Sequence, residues 1–136
     1  MLKLGGIINI AIAAAHVLCL FWLDPVLEWF RMDVYMDRHA AIHPSIPYLI
    51  TALVAGVFLV FGLYGLSGAG VIRKLPWLKA GIYGIAAVYL LRGVGGLIAE
   101  WILADVRIWD YFFSLCAIGI GLLYLLGGLK RWKLRS

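Results

Sequence analysis

The chain is poor in the residues that keep a protein in water: only 14% of its 136 positions are charged. No Asp, Glu, Lys or Arg occurs at residues 4–23, 39–72 or 111–129, which excludes a soluble domain of this size. Cysteine is scarce as well, with 2 residues, Cys19 and Cys116, and no CxxC pair. The missing CxxC argues against the quinone-linked disulfide oxidases, and the two cysteines give little information about redox compartment. The run Ser67, Gly68, Ala69, Gly70 lacks the spaced glycines and the following Lys-Ser/Thr of a phosphate cradle, so it is no nucleotide loop.

What is present is apolar surface: 65% hydrophobic residues and a mean hydropathy of +1.00. Four stretches reach the roughly 20 residues needed to cross a bilayer, at residues 4–23, 46–66, 78–101 and 111–129. The expected fold is all-α, a single integral membrane domain folded as an antiparallel four-helix bundle. The first stretch follows Lys3 and includes Ala13, Ala14 and Ala15 as a secretory leader would, but it runs on to Leu23 and reads as an uncleaved span.

The formal net charge of +5 is a topology signal rather than a nucleic-acid footprint. Lys3, Arg73, Lys74, Lys79, Lys130, Arg131, Lys133 and Arg135 lie at the N-terminus, the second connection and the C-terminal tail. Every carboxylate lies on the opposite side: Asp24, Glu28, Asp33, Asp37, Glu100, Asp105 and Asp110, with Arg31, Arg38 and Arg107 among them. By the positive-inside rule both termini are cytoplasmic and the first and third connections face outward.

Helical spacing gives each span one small or polar face. The first carries Gly5, Asn9, His16 and Leu23, with Ile12, Ala13 and Cys19 beside them. Thr51, Ala55, Phe58, Gly62, Gly65 and Ala69 form the second such face, and Asp110, Ser114, Ala117, Gly121, Tyr124 and Gly128 the fourth. Such faces turn inward and let helices approach closely. Asp24-Pro25 is expected to end the first span and to begin a short helix on the outer surface, with Leu27, Phe30 and Val34 as its apolar side. Ser45 and Pro47 suit the start of the second span as cap and first-turn residues.

The third span carries Arg92 near its middle, about 20 Å above Lys79 at about 1.5 Å per residue. An ionisable group at that depth costs from about 3 to above 10 kcal/mol and is expected to face protein or a water-filled cavity. His16, about 18 Å above Leu4 by the same measure, is matched to it in depth. In one reading the two form a polar pocket in the outer half of the bundle, with Asn9, Glu28, Glu100, Asp110 and Ser114 as further candidates. In the other, Glu100, Asp110 or backbone carbonyls neutralise Arg92, which then only ties helices together. Glu100, about 12 Å above Arg92 on the same helix, is out of direct reach unless the arginine snorkels outward.

Other constellations are weaker. His39 and His43, four apart and near Asp37, offer metal ligands, but Pro44 opposes helical geometry at His43 and structural zinc takes four ligands. Cys19 and Cys116 share an outer depth that suits an exchange pair, or are simply small apolar residues. A haem would need axial ligands from two chains, since His16 alone is suitably deep.

At residues 64–76 (YGLSGAGVIRKLP), 89–93 (YLLRG) and 114–127 (SLCAIGIGLLYLLG) the chain resembles a group of small four-helix proteins of the bacterial inner membrane, with His16 in the matching first helix. The first outer loop is less similar. The resemblance implies topology and compartment and supplies no mechanism. The carboxylate and glycine pattern does not resemble the small fluoride channels.

The function expected is a noncatalytic inner-membrane protein that binds a lipid-like or quinone-like molecule in this pocket, or supports a membrane partner. The alternatives are a proton or ion pathway and a redox or haem-linked subunit. Membrane lipids are the expected surroundings, no nucleic acid is involved, and the glycines from Gly93 to Gly96 and Gly119 to Gly121 offer a face for a second copy.

Overall fold

The computed structural model describes residues 1–30, 32–103 and 108–133, and for residues 33–35 and 103 the backbone alone. Arg31, Asp105, Arg107 and Arg135, and the side chains of Asp33 and Val34, therefore lie outside the described residues. The rest is helical: α1 (Leu2–Cys19), a 3-10 turn (Leu20–Trp22), α2 (Leu23–Trp29), α3 (Asp33–Ala40), α4 (Ile46–Ala69), α5 (Leu78–Leu103) and α6 (Ile108–Lys133). Four helical stretches are long and apolar enough to cross a membrane, Leu2–Trp29, Ile46–Ala69, Leu78–Ile102 and Ile108–Lys133. The chain has the build of a multi-pass membrane protein.

The chain divides into two compact units. The first joins Met1–Ile7 to Gly62–Ser136 and contains parts of all four long helices. In it α5 and α6 run antiparallel: Gly128 lies by Ile82, Gly121 by Tyr89 and Leu90, and Gly93 by Ser114 and Ile118. The start of α1 meets the end of α4 in the same manner, Leu2 near Gly68 and Gly6 against the backbone of Gly62, Gly65 and Leu66. At the centre stands Tyr124, fully buried. Its ring covers Gly5, its hydroxyl abuts Gly65, and it stacks on Tyr89 with ring centroids 6.5 Å apart. The expected antiparallel bundle is realised here, around a tyrosine that touches three neighbouring helices.

The second unit, Ile8–Phe61, holds the remainder of α1, the short helices and the first two thirds of α4. Asn9, Ala13, Leu23, Met36, Pro47, Thr51 and Ala55 are its buried residues among those described. Regular helix in α1 stops at Cys19, before Asp24-Pro25, and gives way to the 3-10 turn. Proline cannot donate a hydrogen bond and its ring opposes the carbonyl four residues back. Pro25 instead occupies the first turn of α2, where a missing N–H costs nothing. The expected outer helix is two helices, interrupted between Trp29 and Asp33. Leu27 and Phe30 are half-buried as an apolar side requires. At the start of α4 the Ser45 carbonyl accepts the N–H of Leu49 at 3.0 Å, and buried Pro47 sits in the first turn.

The connection from α4 to α5 is closed by its own bonds. Gly70, at φ 77, ends α4 in a Schellman motif: its N–H reaches Ser67 O and that of Val71 reaches Leu66 O, both at 3.0 Å. The buried Ser67 hydroxyl then donates to Arg73 O at 3.0 Å and accepts the N–H of Leu75 at 2.9 Å. Tyr64 donates from its hydroxyl to Pro76 O at 3.1 Å.

Outside these faces the chain is apolar. Leu53, Leu91, Ile98 and Ile102 are among the many large exposed hydrophobic side chains, whereas Asn9, Ser67 and Ser114 are almost wholly enclosed. This inverts the pattern of a water-soluble core and suits helices surrounded by lipid.

Two substitutions test the packing. Gly65→Val places atoms on the Gly6 backbone and the Tyr124 hydroxyl and is expected to lower stability by about 1–3 kcal/mol or more. Gly95→Ala, with nothing within 4 Å, is expected to be neutral or to stabilise by up to about 1 kcal/mol. Denaturant unfolding in detergent measures both.

Candidate functional site

The first unit brings three of the candidate residues together between α5 and α6. Ser114 is fully buried and its hydroxyl donates to Glu100 Oε1 at 2.7 Å. The same oxygen accepts a long bond from Arg92 Nη1 at 3.4 Å. Serine has one hydroxyl proton and two lone pairs, so this order, guanidinium to hydroxyl to carboxylate, uses each group in its proper sense. Arg92 thus reaches towards Glu100 along the helix, and Ser114 closes the gap that direct contact would not.

Helix register explains which group is inside. The inward face of α5 runs through Leu78, Ile82, Ile85, Ala86, Tyr89, Gly93 and Glu100, all buried. Arg92 stands at the edge of that stripe and is exposed. This corrects the expectation of an enclosed arginine: the enclosed charged side chain is Glu100, at 8% exposure, and Arg92 snorkels along the helix so that its tip meets Ser114. Gly96 makes the path. A Cβ at that position would meet Ser114 Oγ and Arg92 Nη1, so any other residue would push the two apart.

Two features of the cluster are chemically incomplete. Glu100 Oε2 is buried and has no hydrogen-bond partner among the described residues. Arg92 offers five N–H donors, and among the described residues its one hydrogen bond is the long contact with Ser114. Both groups sit within the Leu78–Ile102 span; Arg92 lies about 21 Å along α5 from Leu78. Without water, such groups cost several kcal/mol each, to order of magnitude, unless something satisfies them.

Asp110 is half-buried in the first turn of α6, one turn before Ser114 on the same face. The other candidates belong to the second unit. Asn9 is fully buried there. His16 is half-buried, with Nδ1 2.8 Å from Ile12 O and its ring 5.2 Å from that of Phe58. A carbonyl only accepts, so Nδ1 is the donor of this bond. Glu28 is exposed on α2.

His39 lies in the last turn of α3 while His43 lies beyond its end at Ala40, so the two do not share one helix. Asp37 lines a cavity of about 260 Å³ with Asp24, Leu27, Met36 and Tyr48, and neither histidine lines it. No group of three His, Cys, Asp or Glu able to hold a metal occurs among the described residues. Cys19 and Cys116 are both free thiols, half-buried and exposed respectively.

Sequence reasoning named Arg92, Glu100 and Ser114 but missed Gly96 as the residue that admits them to one another. Its spacing from Arg92, one helical turn, was the available signal. Gly93, Gly96 and Gly121 are occupied by packing within the chain, whereas Gly95 and Gly119 face open space. Comparison with protein-family models, curated proteins and solved structures gave no match.

Ser114→Ala leaves Glu100 Oε1 without its donor and is expected to cost about 1–3 kcal/mol. Gly96→Ala is expected to destabilise comparably, by forcing Arg92 off Ser114. Thermal unfolding of the purified protein in detergent would register both losses.

Proposed function

We propose that this protein is a noncatalytic, multi-pass protein of the bacterial inner membrane that binds a lipid-like or quinone-like molecule at Arg92. The observation that carries the reading is an exposed mid-span guanidinium whose one hydrogen bond among the described residues is long. Its remaining donors need acceptors beyond the described residues, since hydrocarbon offers none. A quinone carbonyl or the oxygens of an amphiphile's head group supply them, while the apolar remainder lies along Leu91, Val94 and Ile98, all exposed. Glu100, through Ser114, holds the guanidinium in place from behind.

The charge distribution supports a topology with both termini cytoplasmic, which puts Arg92 slightly into the outer half. A second reading, a proton or ion pathway, is favoured by one observation, the buried Glu100 Oε2, unpartnered among the described residues. An ionisable oxygen with no partner inside a span is the kind of group that takes part in relays.

Native mass spectrometry of the protein released from native-lipid discs tests the first reading, wild type against Arg92→Gln. The expected result is a stoichiometric extra mass that the variant loses. If both forms carry only exchangeable lipid, the binding reading fails. Flux in proteoliposomes that Glu100→Gln abolishes would then favour the pathway. Phosphatase fusions are expected to be active after residue 42 and inactive after residues 75 and 133.

A further inference from the structure

A gathering of cations lies in the first unit, where α5 begins and α6 ends. A groove of about 640 Å³ is lined there by Lys74 from the connection, Lys79 from the first turn of α5 and Arg131 from the last turn of α6. Trp77, Tyr83 and Trp132 form its aromatic walls, and none of the lining residues is acidic. Three like charges from three chain segments therefore face one space with no carboxylate in its lining. Their mutual repulsion is relieved when an anion enters.

The groove is built by backbone features rather than left over between them. Gly128 lets the Tyr83 and Trp132 rings close over α6, since a Cβ there would meet them at 3.2 and 3.4 Å. The rings sit 5.7 Å apart, tilted by 43°, and the Arg131 guanidinium lies 5.8 Å from the Trp132 ring centroid. Trp77 holds φ 54, the positive-φ conformation that among the described residues no other non-glycine adopts. Its carbonyl accepts the first helical bond of α5 from Gly81 at 2.8 Å, so the strained residue also starts the helix.

Position and lining together select the ligand. The groove falls at the ends of two membrane-spanning helices, where phospholipid head groups lie. Aromatic rings with one apolar side and one wet side are favoured at that level. A soluble anion would need only the cations, whereas an amphiphile uses both the cations and the rings. We propose that this groove holds the phosphate of an anionic phospholipid, with Lys79 and Arg131 on the phosphate and the rings of Trp77 and Trp132 against its glycerol and upper acyl segments. The site is separate from Arg92 and stands or falls without it.

The test is lipid titration by native mass spectrometry in a zwitterionic detergent. It compares phosphatidylglycerol with phosphatidylcholine for the wild type, the double variant Lys79→Gln/Arg131→Gln, and Lys130→Gln, which removes a single charge from α6 outside the groove. Phosphatidylglycerol affinity is expected to fall roughly tenfold or more in the double variant and to stay within about twofold in Lys130→Gln. Lys74→Gln, in the connection, gives a smaller loss in the same direction and serves if the double variant does not fold. Wild-type affinity in the groove variants, an equal loss in Lys130→Gln, or equal retention of phosphatidylcholine would each overturn the assignment. So would displacement of the bound lipid by millimolar inorganic phosphate, which would mark a free-anion site.

Discussion

Tyr124 can stand where it does only because Gly5 and Gly65 give up their side chains to it. In lipid there is no general hydrophobic drive to press helices together, so close contact between small residues must supply the association. A buried tyrosine seated on two glycines and stacked against Tyr89 anchors α6 to α1, α4 and α5 at one depth. Once that depth is set, the register of α5 against α6 follows, and with it the placing of Ser114 beside Gly96 and within reach of Glu100. The polar cluster is in this sense a product of glycine packing nearly three turns away along α6.

The cluster shows how a chain can carry charge inside a span without pairing it directly. A carboxylate and a guanidinium separated by two helical turns on one helix are too distant for an ion pair. A hydroxyl from the neighbouring helix bridges them and is polarised by both ends. Burial is then unequal: the short acidic side chain is enclosed and the long basic one remains at the edge. A salt bridge in full contact would have neutralised both groups; a bridge through serine leaves each with capacity to bind something else.

Much of this was legible in the sequence, and the limits have physical causes. Helical periodicity located the inner faces well, because in membrane helices the small and polar residues are the ones turned inward: Asp110, Ser114, Ala117, Gly121, Tyr124 and Gly128 all lie on the inward side of α6, Asp110 at its half-buried rim. Arg92 and Glu100 were identifiable since charge within an apolar run has few explanations. What periodicity did not resolve was rotation within the face. A shift of one residue separates Arg92, exposed, from Gly93, buried, and a long flexible side chain can engage a partner from either position. At Asp24-Pro25 a new helix does begin, at Leu23, but regular helix in α1 already stops at Cys19. Proline marks the neighbourhood of a break, but it tolerates the first turn of the next helix better than the end of the last. The glycines at 93, 96 and 121 read as a surface for another copy because spacing alone does not say which helix will fill them.

The hydroxyl of Ser67 belongs to a helix, yet it fixes the path of the loop beyond that helix. By holding the Arg73 carbonyl and the Leu75 N–H at once, it ties the two basic residues Arg73 and Lys74 to a fixed height above the apolar end of α4. The connection is therefore a clasp as well as a turn. Drawing this end of the molecule through the bilayer would mean either carrying two cations across hydrocarbon in a closed loop or first opening the clasp and exposing its carbonyls and amides to lipid. Charge and hydrogen bonding oppose the same movement by different routes, so the hairpin of α4 and α5, once seated, has no low-energy way to invert.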